Sequence, residues 1–255
     1  MNAVDVHYIV EGPAEAPVLV LGGSLGSTLR IWDAQAARLS SRFRVVRFDT
    51  RGHGESPVPP GPYTIADLGH DVIALLDRLG VSKAHFCGVS LGGMTGMWLG
   101  AYAPDRIDRL VLCCTSARLG PPEMWAERAR TVREQGVAAL ADTVVARWLT
   151  PEYAARNPGL ARDLRDMIAA TPAEGYAGCC GVIEHMDLTG ILPTVRAATL
   201  VIAGADDPAT PPTHGASIAA AIPGARMAIV PHAAHLANVE QADTVTALIM
   251  EHLDG

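Results

Sequence analysis

Residues 88–92 read Gly-Val-Ser-Leu-Gly, the pattern G-x-S-x-G, directly after the apolar run AHFCGV and before a helix-like stretch. A serine hydroxyl at its free pKa is a weak nucleophile and needs an adjacent base, itself oriented by a third group. The flanking Gly88 and Gly92 leave room for a sharp strand-to-helix turn. Such a turn holds the serine in an unfavourable φ/ψ region at a cost of about 1–3 kcal/mol. It exposes Oγ beside a helix N-terminus, whose N–H groups favour developing negative charge. The alternative is an ordinary turn serine, so the rest of the chain must supply an acid and a base.

Two later apolar runs end in the required residue types. ATLVIA (198–203) leads into GADDP, and ARMAIV (225–230) leads into PHAAHLAN. Asp207 and His235 are the preferred acid and base, with Asp206 and His232 as competitors. His235 is preferred because it lies later on its loop, directly before the last helical stretch. The order Ser…Asp…His is that of the α/β-hydrolases. In such a triad Ser90 attacks, His235 takes its proton, and Asp207 fixes the imidazole tautomer and stabilises its charged form. Two backbone N–H groups should bind the oxyanion. One is that of Leu91; the other is in the loop Gly22–Gly26, with Ser24 first by position and Leu25 second.

These groups need a scaffold that gathers strand ends. Short apolar runs at 4–10, 17–21, 43–48, 84–89, 109–114, 198–203 and 225–230 alternate with helical patterns at 31–40, 66–79, 91–103, 212–221 and 239–253. Near-continuous apolar strands alternating with helices predict a mostly parallel, doubly wound sheet covered on both faces. The run at 4–10 reads as an edge strand. Ligands of such sheets sit beyond the carboxyl ends of the strands. The alternation fails between 119 and 190, where helices are expected at 122–135, 136–149, 158–170 and 174–186. That segment reads as a helical cap inserted after the sixth strand, into a core made of 1–118 and 191–255. The segment FDTRGHGES (48–56) reads as a tight turn after the fourth strand, with polar side chains bonding its backbone.

The 255 residues are 49% hydrophobic and 18% charged, enough to bury a core and too little charge for a disordered chain. A net charge of −7 argues against a nucleic-acid partner. The first Lys or Arg is Arg30, so a signal peptide is not expected, and the 18 uncharged residues 86–103 carry too many glycines to read as a membrane span. Five cysteines without C-x-x-C spacing read as buried, reduced thiols of a cytosolic protein rather than metal ligands. No G-K-[ST] follows Gly22–Gly26, which excludes a phosphate loop of that type.

The stretches DTRGHGES, GVSLGGMTG and GADDPATPP resemble the α/β-hydrolase superfamily. More narrowly, 88–120, RWLTPEY (147–153), TPAEGYAGCCGVIEHMDL (171–188) and AAHLANVEQ (233–241) are similar to the 3-oxoadipate enol-lactonase family. One departure is the pair Gly22-Gly23, where many hydrolases have His-Gly. The resemblance implies hydrolysis of an enol-lactone in bacterial aromatic catabolism, with no metal or organic cofactor. It also implies a small-molecule substrate carrying a free carboxylate. Arg128, Arg133 and Arg147 are candidates to meet that carboxylate, with Trp148 as an apolar wall; Arg147 and Trp148 are preferred. A carboxylesterase or a C–C hydrolase of ring-cleavage products is the alternative activity.

Overall fold

The computed structural model describes residues 3–255. Its centre is a seven-stranded sheet: β1 (Tyr8–Glu11), β2 (Val18–Gly22), β3 (Arg44–Phe48), β4 (Ala84–Val89), β5 (Ile107–Cys113), β6 (Ala198–Gly204) and β7 (Arg226–Val230). The strand order is β1-β3-β2-β4-β5-β6-β7. Only β1 runs antiparallel, against β3. It starts later than the apolar run at 4–10 suggests. In β2 and β4 every residue is buried, as expected for strands with helices on both faces. The edge strand β7 buries only Val230 fully, so its pattern is mixed.

Packing helices follow the predicted alternation. Helix Ile65–Arg78 begins with a capping box: Thr64 Oγ1 accepts from Asp67 N, while Asp67 Oδ2 accepts from Thr64 N. Helix Leu91–Tyr102 is apolar nearly all round and is buried from Leu91 to Gly100 between the sheet and its neighbours. Helices Asp33–Leu39, Pro212–Ala221 and Ala242–Asp254 complete the expected set. Among the described residues, no helix is long and apolar enough to cross a membrane.

Between β5 and β6 lie Pro122–Gln135, Ala141–Trp148, Pro151–Arg156, Pro158–Ala169 and Ala173–His185, all helical. This insertion follows the fifth strand, not the sixth, and the 48–56 turn follows the third, not the fourth. The runs at 4–10, 17–21, 43–48, 84–89 and 109–114 match these five strands one to one, so only their numbering changes and not the pattern. Two helical boundaries also differ. After Gly136 at φ 78°, the helix expected over 136–149 opens as a 3-10 turn at Val137–Leu140 and is α-helical only from Ala141, and Thr150 caps the unexpected helix Pro151–Arg156 through Tyr153 N. Helix Ala173–His185 docks on the core. Tyr63 N donates to Gly178 O at 3.2 Å, Gly61 N to Glu174 Oε1 at 3.2 Å, and Tyr176 is fully buried.

The parallel register aligns the carboxyl ends. Gly22 lies opposite Gly88, Val89 opposite Cys113, Cys113 opposite Ile202, and Gly204 opposite Val230. From β2 the chain winds outward to β3 in one direction and from β4 to β7 in the other. The crevice between β2 and β4 is therefore the switch point of the sheet, where ligands of such folds sit.

Candidate active site

Ser90 directly follows β4 and caps the next helix. Its backbone adopts φ 57°, ψ −115°, a conformation L-residues avoid. Three bonds hold it there: Ser90 N donates to Cys113 O at 2.9 Å, Met94 N to Ser90 O at 2.9 Å, and Thr115 Oγ1 to Ser90 O at 2.7 Å. The glycines on either side answer to space. A Cβ on Gly88 would lie 2.2 Å from the Gly92 carbonyl, and one on Gly92 would lie 2.4 Å from Gly22 O. The turn is thus possible only without those side chains.

Asp207 and His235 come together from the ends of β6 and β7. His235 Nδ1 lies 2.9 Å from Asp207 Oδ2, and both residues are buried. The carboxylate is tied down further. Oδ1 accepts from Ala209 N at 2.8 Å and Thr210 N at 3.0 Å, and Oδ2 from Thr210 Oγ1 at 2.7 Å. Burial pushes the Asp207 pKa up, but the facing imidazole and the Thr210 bonds outweigh it and hold the carboxyl at about 2. The competitors lie elsewhere: Asp206 and His232 are exposed.

Ser24 and Leu25 face the same space from the loop after β2. Gly92 N donates to Gly23 O at 2.9 Å, which ties this loop to the start of the Ser90 helix. Ser27 Oγ and Ser27 N both donate to Ser24 O, and Gly26 N donates to His53 Nε2 at 2.9 Å. Leu91 is the first residue of its helix, where N–H groups have no intrahelical acceptor.

A cavity of about 330 Å³ joins these parts. Ser24, Leu25, Ser90 and His235 line its floor; Trp125, Arg128, Val144, Arg147 and Trp148 line the helical side. Arg128 lies against the rings of Trp125 and Tyr176, at 5.3 and 5.4 Å, and donates from Nη2 to Tyr176 Oη. Its Nε is buried with no hydrogen-bond partner. Burial pushes the Tyr176 phenol well above its usual range, so it accepts as a neutral group. Arg133 is not brought to the cavity; it pairs with Glu174 at 2.8 Å on the outside. A larger groove, about 770 Å³, is lined in part by Arg30, Tyr153 and Asn238 and contains none of the three hydrolase-type residues. Size would select that groove; the reactive groups select the smaller one.

The 48–56 turn is internally bonded, as read from its composition. Asp49 Oδ2 accepts from Glu55 N at 3.1 Å and Ser56 Oγ donates to Asp49 O at 2.6 Å; beyond the turn, Asp49 accepts from Leu29 N at 2.7 Å and Arg51 forms a buried pair with Asp71. The five cysteines are buried free thiols. Burial keeps those of Cys114 and Cys179 protonated, which leaves them poor nucleophiles. Among the described residues, no group of three or more His, Cys, Asp or Glu could hold a metal ion. Sequence reasoning missed Thr210, His53 and Glu240. Only Thr210 left a local signal: Asp207-Pro208-Ala209-Thr210 has the spacing of an aspartate bonding its own turn.

Residues 16–242 match the alpha/beta hydrolase fold family. The chain belongs to the α/β-hydrolase family. It is 40% identical over 238 residues to 3-oxoadipate enol-lactonase 2 of Acinetobacter baylyi, covering 93% of this chain and 89% of that one. The crystal structure of the enol-lactonase from Burkholderia xenovorans LB400 superposes with a TM-score of 0.97. The two are 44% identical over 99% of this chain and 97% of that one. A more distant relative, RutD of Caulobacter sp. (strain K31), carries carbamate hydrolysis as a provisional name. It is 30% identical over 98% of this chain and 95% of its own. Within its family the chain is an enol-lactonase-like hydrolase, and its mostly parallel sheet with flanking helices is the family fold.

Proposed function

We propose that this α/β-hydrolase opens a lactone ring, that Ser90 is its nucleophile, and that its substrate is 3-oxoadipate enol-lactone. The observation that carries the reading is one cavity lined by Ser90 and His235 and also by Arg128 and Arg147. The similarity to enol-lactonases supports the choice of ring.

The chemistry follows from the atoms. Ser90 Oγ attacks the lactone carbonyl as His235 Nε2 takes its proton. His235 Nδ1 donates to Asp207 Oδ2, so the imidazolium forms against a fixed negative charge. The carbonyl oxygen becomes an oxyanion against the N–H groups of Leu91 and of Ser24, with Leu25 as the alternative donor. Losing one such donor costs about 2.7–4 kcal/mol of transition-state stabilisation. The ring C–O bond breaks and expels an enolate-type oxygen, a better leaving group than a simple alkoxide. His235 returns its proton to that oxygen, then activates water to release the acyl group from Ser90. The freed enol becomes a ketone, which opposes ring closure.

The substrate carboxylate suits Arg128 and Arg147, the two arginines on the cavity wall, with Trp148 and Trp125 as apolar surface. Among the described residues Arg128 makes no ion pair with a carboxylate; its contacts are Tyr176 Oη and two aromatic rings. A partly desolvated cation without a counter-charge favours an anionic ligand. The helices of 119–190 serve as a cap that holds these side chains over Ser90.

The test is turnover of the enol-lactone by wild type and Ser90→Ala, beside p-nitrophenyl acetate, a ring-cleavage dienone acid and a carbamate. Rapid lactone opening, abolished in Ser90→Ala, is expected. Fast turnover of another substrate with none of the lactone would overturn the substrate. Undiminished turnover in Ser90→Ala would overturn the nucleophile.

A further inference from the structure

Behind the catalytic-type constellation is a buried carboxylate that the mechanism above does not use. Glu240 closes the short helix Ala237–Glu240 and is 7% exposed. Its Oε1 accepts from Thr150 N and from Thr150 Oγ1, both at 2.8 Å. Its Oε2 accepts from Ala234 N, the peptide immediately before His235. One carboxylate therefore grips two chain segments 84 positions apart, the end of the cap helix carrying Trp148 and the loop carrying His235.

The same two segments meet again at Leu236 N, which donates to Trp148 O at 2.9 Å. These bonds bracket His235 on both sides: Ala234 N goes to Glu240 and Leu236 N to Trp148. Trp148 and His235 both line the cavity. All three groups facing Glu240 are donors, so a carboxylate satisfies them and an amide of equal size does not. Its nitrogen would meet a donor at either end. Other buried carboxylates here serve different purposes: Asp71 pairs with Arg51, and Asp207 faces His235.

We infer that Glu240 is a positioning residue that locks the His235 loop to the cap wall. The base and the apolar side of the substrate pocket then keep one spacing. This rests on the reading of His235 as the base for Ser90. The role acts through the backbone at Ala234 and Thr150, not on the substrate.

The experiment compares wild type, Glu240→Gln and Thr150→Val. A fluorophosphonate probe counts reactive sites, and rates on p-nitrophenyl acetate and the enol-lactone are expressed per counted site. A purely structural role would lower the melting temperature and the number of sites while leaving the rate per site unchanged. A positioning role should lower kcat per site on both substrates by about tenfold in Glu240→Gln, as sub-ångström misplacement does. It should also slow probe inactivation by a similar factor. Should Glu240→Gln not fold, Thr150→Val decides. It removes one of the three donors, and kcat per site should fall about fivefold, the equivalent of one hydrogen bond. Wild-type rates per site in whichever variants fold would overturn the inference, as would a wild type unreactive towards the probe. A wild type that hydrolyses only p-nitrophenyl acetate overturns the lactone assignment alone, since the Glu240 comparison is read on either substrate.

Discussion

His53 Nε2 accepts the backbone N–H of Gly26 at 2.9 Å, so a fully buried imidazole holds the loop that carries Ser24. Its other nitrogen, Nδ1, faces Arg51 O at 3.2 Å and donates to it, which fixes the tautomer. Burial is the chief cause of a lowered pKa at this histidine, ahead of the opposing pulls of Arg51 O and Asp49. The neutral ring is the one that can accept from Gly26.

Replacing His53 with Ala should loosen the Gly22–Gly26 loop and lower kcat by about tenfold or more, with KM little changed. The sign for stability is also set. The unfolded histidine binds a proton below about pH 6.5, and the folded one resists it. Stability should therefore decline as pH falls below 6.5 and be fully present above it. Urea midpoints from pH 8 to 5 check this, and the decline should be smaller in His53→Ala.

Ser90 offers a separation of stability from activity. At φ 57° its side chain is strained, and glycine is not. Ser90→Gly should raise folding stability by about 1–3 kcal/mol while removing turnover. Thermal unfolding and an ester assay read the two effects independently. A variant less stable than wild type would refute the strain.

Asp207 predicts a different pH window. Its folded pKa of about 2 lies below the ordinary value of 3.8. A depressed carboxyl contributes stability above its unfolded pKa and loses it as pH falls through the folded one. The contribution, about 2 kcal/mol, should be present above pH 4 and lost between pH 4 and 2. Acid unfolding of Asp207→Asn should lack this step. Its kcat should drop by about four orders of magnitude at pH 7, because an amide can hold the wrong imidazole tautomer.

Arg128 should govern recognition of charge. Arg128→Ala should raise KM for the carboxylate-bearing lactone at least tenfold and leave a neutral ester little affected. Arg133→Ala, removed from the cavity and paired with Glu174, should change neither. Equal KM effects on both substrates in Arg128→Ala would mean that its packing against Trp125 and Tyr176 matters more than its charge.

The residues that announce themselves in the sequence are those whose constraint is local. The turn at Ser90 demands glycine at 88 and 92 for steric reasons, and Asp207 and His235 each follow an apolar strand, so all three were legible. The parallel sheet was legible for the same reason, since burial on both faces writes unbroken apolar runs. The breaks within the inserted helices, at Gly136 and Thr150, were not. Glu240 and His53 stayed hidden because their partners, Thr150 and Gly26, are distant in sequence and are backbone groups in part. Backbone N–H groups leave no mark in residue identity. Of the three arginines the sequence favours Arg147, yet the cavity wall carries Arg128 as well and leaves Arg133 outside, because spacing alone does not tell which face a helix turns inward.

The docking of helix Ala173–His185 on Tyr63 and Gly61 bears on how the pocket can adapt. That helix is bolted to the core, and the stretch ending at Trp148 is clamped to the His235 loop. Residues 119–125 differ: Leu119 O accepts from Trp125 Nε1, and Met124 N donates to Pro121 O, so these links stay within the stretch itself. Met124 is 41% exposed at the cavity rim. Adaptation to a bulkier guest is therefore expected at this doorway, away from the walls that the clamp and the docked helix hold.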